Sequence, residues 1–313
     1  MSAHHGHHHH HEAGDRKVCW AILVNLVLTL AQIVGGVLAG SLSLIADALH
    51  NFSDAISLII AFAARRIARR PADETMTFGY ARAEVVAALI NYTTLIVVGL
   101  YLVYEAVLRF YEPEPVAGWM IVIIAAVALA IDLVTAALTY TLSKESMNIR
   151  AAFLHNVADA LGSVAVIVAG TIIILSGWYI VDPIVTILIA GYILWMAFSE
   201  IGGSIRLLMM GAPVGTDIRE LVAAMEAVDG VEGVHHLHLW QIDENDVALE
   251  AHVVTAGPGD HEPVKRALKA LVRDRFGVGH ATLEFESGEA CCGGADAAVI
   301  GHRTGTGHDH HDH

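Results

Sequence analysis

The stretch that decides the fold is Ser43-Leu44-Ile45-Ala46-Asp47-Ala48-Leu49-His50-Asn51-Phe52-Ser53-Asp54, which places ionisable residues inside a long apolar segment. Another apolar segment carries the related stretch His155-Asn156-Val157-Ala158-Asp159. Residues four apart on a helix lie on one face, so each His-x-x-x-Asp pair presents an imidazole and a carboxylate together. Ionisable side chains are costly inside a membrane and are usually functional there. The two pairs therefore predict one intramembrane site formed by two helices.

The hydrophobicity around these stretches predicts six membrane-spanning helices. The 313-residue chain is 55% apolar, with a mean hydropathy of +0.55, which is high for a soluble protein. Six apolar segments are long enough to cross a bilayer, over residues 18–39, 42–64, 84–109, 117–142, 152–175 and 180–201. The first sixteen residues are polar and histidine-rich, unlike a signal peptide.

Basic residues predict the orientation of these helices. Most lie before the first segment, between segments two and three, or between four and five: Arg16, Lys17, Arg65, Arg66, Arg69, Arg70, Arg82, Lys144 and Arg150. By the positive-inside rule this side is cytoplasmic, and an even number of spans puts both termini there. We expect a multi-pass protein of the inner membrane with cytoplasmic N and C termini.

The periodicity changes after the last apolar segment. Residues 217–228 and 263–276 have helical periodicity, whereas 234–242, 247–255 and 281–286 have the pattern of strands. This order predicts a small αββαβ domain of the ferredoxin or metallochaperone type. The expected organisation is a His-rich tail (1–16), a six-helix transmembrane domain (17–209), a cytosolic α+β domain (210–289) and a disordered tail with histidine and cysteine (290–313).

Composition narrows the function. The net charge of −15 argues against a nucleic-acid partner. Three cysteines, two of them adjacent at Cys291 and Cys292, form no disulfide framework and are available as metal ligands. The histidine clusters at both ends fit metal-gathering tails, although the first also fits a purification tag. The sequence has no phosphate-binding loop and no motif of a catalytic zinc site, so we expect a secondary transporter and not an enzyme.

The paired motifs favour zinc as the substrate. Zn²⁺ prefers tetrahedral sites with nitrogen and carboxylate ligands, and His50, Asp54, His155 and Asp159 offer two of each. Two carboxylates balance the charge of the ion, whereas magnesium or manganese would favour an all-oxygen set. The alternative is that each pair is a local polar contact within its helix.

These motifs resemble the zinc branch of the cation diffusion facilitators. Residues 43–54 are similar to that family's second transmembrane helix, 155–159 to its fifth, 70–73 and 78–84 to its cytosolic loop and 235–240 to its tail domain. The resemblance implies a homodimer with proton-coupled zinc efflux by alternating access through a site on helices two and five. His50 supports zinc, because members that favour iron or manganese tend to have aspartate there.

The resemblance also implies a second, regulatory zinc site in the tail domain. Its expected ligands are His235, His252, His280 and Glu286, with Cys291 and Cys292 as additional ligands. Zinc bound there would tighten the dimer and favour transport when cytosolic zinc is high. The alternative is that these are surface polar residues of a soluble sheet.

Two further intramembrane carboxylates are assigned to the transport pathway. Asp47 lies one turn before His50 and fits cation access or a proton path, not a fifth ligand. Asp132 lies in the fourth segment, where it fits either a proton relay or a hydrogen bond to Asn25 or Gln32. Two other interpretations remain open: the same transporter acting on Co²⁺, Cd²⁺ or Ni²⁺, and a membrane-bound metal buffer or sensor that does not transport.

Overall fold

The computed structural model describes residues 26–140, 147–255, 261–287 and 299–300. These residues form two compact units. One is drawn from residues 1–64 and 87–201, and the other from residues 65–86 and 202–313.

The first unit is helical. Its helices are α1 (Leu26–Ala39), α2 (Leu42–Ala68), α3 (Ala83–Tyr111), α4 (Gly118–Tyr140), α5 (Met147–Ser176) and α6 (Val181–Leu208). Within the described residues, α2 to α6 each contain a stretch long and apolar enough to cross a membrane. The described part of the first predicted span is α1, and residues 18–25 of that span lie outside the described range.

Glycine and proline set the turns between these helices. Gly40 separates α1 from α2 with φ of 69°, and Gly177 follows α5 with φ of 68°. Both values lie in the left-handed region, which glycine adopts without steric cost. Pro113 and Pro115 lie between α3 and α4, where proline cannot continue a helix.

Small residues let the membrane helices pack closely. A Cβ atom on Gly35 of α1 would clash with a methyl carbon of Ile124 in α4, and one on Gly170 of α5 would lie 3.0 Å from Ile121. Close contact at small residues is typical of helix packing in lipid. Large apolar side chains instead point outward: Phe62 is 73% exposed and Trp195 is 68% exposed. Extensive exposed apolar surface fits a lipid environment, and the chain is a multi-pass membrane protein.

The second unit contains the predicted αββαβ domain. Its elements are α7 (Ile218–Glu226), β1 (Val231–Gln241), β2 (Val247–Thr255), α8 (Glu262–Phe276) and β3 (Val278–Ser287). The sheet order is β1-β2-β3, with β1 antiparallel and β3 parallel to β2. Asp217 caps α7 by accepting hydrogen bonds from the backbone amides of Arg219 and Glu220. Both helices contribute to one apolar core with the sheet, through Met225 and Leu268 packed with Leu249.

The loop between α2 and α3 belongs to this second unit. Arg82 donates from Nε to the carbonyl oxygen of Ile242 at 2.9 Å and from Nη2 to that of Gln241 at 3.1 Å. The ring of Phe78 meets the ring of His280 edge-on, with centroids 6.1 Å apart. Residues 65–86 therefore fold with the αββαβ domain, whereas the sequence pattern grouped them with the membrane domain.

Candidate metal sites

The membrane unit brings three of the four predicted ligands together. His50 and Asp54 share a face of α2 because they are four residues apart, and His50 Nε2 lies 3.7 Å from Asp54 Oδ2. Asp159 of α5 approaches the same ring nitrogen, with Oδ1 at 3.4 Å. The ligand atoms of these three residues all lie within 4.8 Å of one another, which is close enough for one ion.

The side chains of this cluster are largely shielded from solvent. The side chains of His50 and Asp159 are 7% and 10% exposed, whereas Asp54 is 26% exposed. The ring of Tyr192 from α6 meets the imidazole of His50 edge-on, at 6.1 Å between centroids. The fourth predicted ligand, His155, lies one turn before Asp159 on α5, and its side chain is outside those that the structure describes.

A polar network lies beside these ligands. Gln32 of α1 donates from Nε2 to Asp47 Oδ2 at 2.9 Å, and Ser163 Oγ of α5 lies 3.5 Å from the same oxygen. Ser163 Oγ is also 3.3 Å from Asp132 Oδ2 of α4. Asp47 is thus not grouped with the metal-ligating atoms. One alternative from the sequence was a hydrogen bond between Asp132 and either Asn25 or Gln32. In the structure Gln32 donates its hydrogen bond to Asp47, and Asn25 lies outside the described residues.

The αββαβ domain contains a second cluster, His235, His252 and Glu286, with ligand atoms within 4.8 Å of one another. His235 of β1 is the direct register partner of His252 of β2. Glu286 of β3 places Oε1 2.6 Å from His252 Nδ1 and Oε2 3.4 Å from His235 Nε2. His235 and Glu286 are both buried. The sheet therefore assembles two imidazoles and a carboxylate from three strands.

A β-bulge brings a third histidine against this cluster. The register steps from His235 opposite His252 to His238 opposite Glu250, so β1 has one extra residue there. His236 takes φ of 55° in the bulge, and its ring stacks on that of His252 with centroids 4.8 Å apart. The sequence interpretation did not include His236 among the ligands. Its signal was the run of three histidines within 235–238, which simple strand alternation divides between two faces.

His280 is not brought to this cluster. The third strand begins at Val278, so His280 lies within it and not before it. It pairs with Ala248, whereas Glu286 pairs with Val254. Six residues of strand span about 20 Å, and the exposed ring of His280 faces Phe78. Cys291 and Cys292, the other predicted ligands, lie outside the described residues.

Both clusters have the donor chemistry of borderline metal ions. Imidazole nitrogen combined with carboxylate oxygen suits zinc and related divalent ions, whereas magnesium and calcium prefer oxygen alone. Each cluster is assembled from separate elements, so its geometry depends on tertiary packing. The membrane cluster joins residues of two helices, whereas the second cluster is held by strand pairing within one sheet.

Family comparisons cover most of the chain. Residues 18–209 match the model described as the cation efflux transmembrane domain, and residues 213–287 match the cation efflux protein cytoplasmic domain.

Several bacterial proteins are similar along nearly their whole length. The zinc transporter ZitB of Escherichia coli (strain K12) is 36% identical over 318 residues, covering 100% of both chains. The metal cation efflux system protein CzcD of Cupriavidus metallidurans is 36% identical and covers 95% of this chain and 94% of its own. The cadmium, cobalt and zinc/H(+)-K(+) antiporter of Bacillus velezensis is 33% identical, with 98% and 100% covered. Among solved structures, the metal-bound C-terminal domain of CzcD is 32% identical over 23% of this chain and 99% of its own, with a TM-score of 0.22.

Proposed function

This chain belongs to the cation efflux family, and we propose from that premise that it exports Zn²⁺ from the cytoplasm in exchange for protons. The observation that carries the proposal is the convergence of His50, Asp54 and Asp159 on one point inside the membrane unit. A membrane-bound metal buffer would gain nothing from ligands buried among the spans, where they are costly. A carrier needs such ligands, because the transported ion must be bound within the membrane between its uptake on one side and its release on the other.

The proposed substrate site consists of His50 and Asp54 from α2 with His155 and Asp159 from α5. The positions of His155 and Asp159 repeat the spacing of His50 and Asp54, so this spacing supports His155 as the fourth ligand. Two nitrogens and two carboxylate oxygens suit a tetrahedral zinc ion. The two negative charges offset the ion, so the loaded site carries little net charge through the membrane.

The names of the relatives support zinc as the substrate and are also compatible with related divalent ions as substrates. One relative is named a zinc transporter, and another is named for cadmium, cobalt and zinc. Cobalt accepts the same donor set and geometry as zinc, and nickel and cadmium also bind imidazole. We therefore propose zinc as the principal substrate, with Co²⁺, Cd²⁺ and Ni²⁺ as the competing substrates to test.

Proton exchange follows from the chemistry of the ligands. An imidazole binds metal only when it is neutral, so protons and zinc compete for the histidines. In this proposal the site loads zinc when it faces the cytoplasm and releases it when protons bind on the outer side. Asp47 and Asp132 contribute to the pathway of the ion or the proton.

The orientation and assembly are parts of the same proposal. The basic residues between α2 and α3 support a cytoplasmic position for this loop and for both termini. A match to the family's cytoplasmic domain over residues 213–287 supports a homodimer joined through that domain. The bacterial relatives support the inner membrane as the location.

The cluster of His235, His252 and Glu286 is proposed as a regulatory zinc site. Its ligand atoms come from three strands, so a bound ion would stiffen the domain that joins the two protomers. Cys291 and Cys292 are proposed as further ligands. The described residues on either side of them support this: Glu286 belongs to the cluster, and Val299 accepts a hydrogen bond from the backbone amide of Leu237 in β1.

Zinc uptake into proteoliposomes tests the main proposal. The protein is oriented with its cytoplasmic side outward, and the lumen is either acidic or at the external pH. We expect wild-type uptake to require the acidic lumen, and Asp54→Ala to lower it about tenfold or more. The matched control is Glu105→Ala, which deletes a carboxylate near the outer end of α3, and this variant should retain uptake. Zinc binding by folded protein without gradient-dependent uptake would instead favour the buffer or sensor.

A further inference from the structure

Four polar side chains from four helices meet inside the membrane unit without belonging to the metal cluster. Gln32 and Ser163 are fully buried, and Asp47 is 3% exposed. Ser163 Oγ lies within 3.5 Å of a carboxylate oxygen of Asp47 and within 3.3 Å of one of Asp132. Gly162 makes room for this approach, because a Cβ atom there would lie 3.1 Å from Asp47 Oδ1.

The hydroxyl of Ser163 is placed between two carboxyl groups but has only one proton to donate. It can donate to Asp47 or to Asp132, and the remaining contact is a hydrogen bond only when that carboxyl carries a proton and donates back to Oγ. The bridging position therefore fits a pair that holds at least one proton.

The amide of Gln32 provides an independent indication. Its Nε2 donates to Asp47, while its buried Oε1 accepts no hydrogen bond from the described residues. A buried acceptor without a donor is unfavourable. Exchanging the oxygen and nitrogen of this amide would place Oε1 against Asp47, where only a protonated carboxyl could donate a hydrogen bond to it.

Charges around the pair also favour a bound proton. By sequence, α1, α4, the first 23 residues of α2 and residues 151–176 of α5 contain no lysine or arginine. The groups that interact electrostatically with Asp47 are Asp132 of α4, His50 of its own helix and Asp159 of α5. The helix α1 adds no ionisable group over its described length. Among the described residues, the charges that act on Asp47 are two carboxylates and one imidazole, so a bound proton or the cargo would offset its own negative charge.

The pair lies on the outer side of the metal ligands in the proposed orientation. Asp47 precedes His50 by three residues on α2, which runs from the outer side towards the cytoplasm. Ser163 follows Asp159 by four residues on α5, which runs in the opposite direction. The network is therefore displaced from the metal site towards the exterior on both helices, by about one turn.

We propose that Asp47 and Asp132, bridged by Ser163, hold a coupling proton in a site separate from the four metal ligands. This inference rests on the proposed function. When zinc binds from the cytoplasm, its charge favours the ionised pair, so a carboxyl O–H bond breaks and the proton passes to cytoplasmic water. In the outward-facing state, a proton from the exterior forms that bond again, and the loss of negative charge favours release of zinc.

Two transport assays separate this proton site from the metal site. The first measures zinc accumulation driven by an acidic lumen. The second measures exchange of radioactive external zinc for unlabelled luminal zinc at equal pH, which needs metal binding and helix movement but no net proton transfer. We expect Asp132→Asn and Asp47→Asn to lower accumulation about tenfold or more and exchange no more than about twofold. Ser163→Ala should act in the same direction, whereas Thr171→Ala, which removes an exposed hydroxyl from the same helix, should change neither assay.

Proton release gives a direct readout on the purified, full-length protein. Zinc is added to protein in weakly buffered detergent, and the protons released per zinc bound are counted with a pH indicator. Asp132→Asn should release fewer protons than wild type at matched zinc occupancy. Equal release, together with accumulation and exchange that fall in parallel or not at all, would overturn the proton site. Wild-type uptake that does not depend on the pH gradient would instead overturn the proposed function itself. Failure of the proton site and failure of the proposed function are therefore distinguishable.

Discussion

Ser43 donates its hydroxyl hydrogen to Oδ1 of Asp182 at 2.6 Å, across 139 residues of sequence, and so joins the start of α2 to the start of α6. Asp182 is fully buried, and its carboxylate also accepts from the Ser41 hydroxyl at 2.6 Å and from the backbone amide of Leu42 at 2.8 Å. An aspartate thus supplies the N-terminal cap of another helix. Arg109 of α3 lies 3.9 Å from the same carboxylate. The end of α2 that precedes the metal ligands is therefore fixed to two other helices.

Removing this cap should destabilise the membrane unit. Asp182→Ala leaves the two serine hydroxyls and the first amides of α2 without their acceptor, at a cost of about 1–3 kcal/mol. Ser43→Ala removes one donor only and should cost less. Thermal unfolding of the detergent-purified protein measures both, with Glu114→Ala, which removes an exposed partner of Arg109, as the control. Equal melting temperatures for Asp182→Ala and the control would contradict the capping role.

Asp73 should keep the loop between α2 and α3 ordered at acidic pH. Its carboxylate accepts hydrogen bonds from the Thr75 hydroxyl and amide, the Tyr80 hydroxyl and the Met76 amide. These bonds, those from Thr75 first, hold the pKa of the Asp73 carboxyl well below its usual range. Because the folded-state pKa is lowered, the ordering is present above the usual aspartate range and is lost only as pH falls through the lowered value.

Hydrogen exchange at the Thr75 and Met76 amides checks this expectation. Protection should be unchanged between neutral pH and about pH 4, near the normal aspartate pKa, after correction for the intrinsic exchange rate. Asp73→Asn should lower protection at every pH, whereas Glu74→Gln should not. Protection that disappears near pH 4 in wild type would show that the carboxylate does not order the loop.

The features predicted from sequence are those set by local periodicity. The αββαβ order was predicted because alternation and helical spacing are local, and the structure confirms it. The position of His50 one turn before Asp54 likewise needs only helix geometry. Apolar segment length predicted the spanning helices, of which five lie within the described residues.

The features that the sequence did not predict depend on tertiary contacts. Nothing local marks Ser163 as the bridge between Asp47 and Asp132, because serine is common in membrane helices and helix packing decides which serines meet a carboxylate. The bulge at His236 shifts the register of β1 by one residue, and strand alternation cannot anticipate that change. The attachment of Arg82 to Ile242 joins segments 160 residues apart. His280 was misplaced because the third strand begins earlier than its apolar pattern indicated.

The two glutamate oxygens of Glu286 contact both His235 and His252, so this residue should be essential for the second metal site. In a background that carries Asp54→Ala and Asp159→Ala and has the histidines of both terminal clusters replaced by alanine, zinc binding reports on the cytosolic site. Adding Glu286→Ala should lower its zinc affinity about 10- to 100-fold or more. His280→Ala is the matched control, since it lies in the same strand but away from the cluster. An affinity lowered equally by both changes would mean that the site extends along β3, contrary to the geometry.

Replacing His50 by aspartate should shift the metal preference of transport. The imidazole is the borderline ligand of a cluster whose other described members, Asp54 and Asp159, are carboxylates. His50→Asp makes that part of the site all-oxygen, which suits harder ions such as Mn²⁺ better than Zn²⁺. We expect zinc uptake to fall and manganese to become a stronger competitor, by about tenfold in the ratio of their apparent affinities. Competition for uptake in proteoliposomes measures that ratio, and Asn51→Asp, which adds a carboxylate to the next position of α2 without replacing a ligand, is the control. A His50→Asp variant that transports both ions less but keeps the wild-type ratio would show that the imidazole contributes affinity and does not set selectivity.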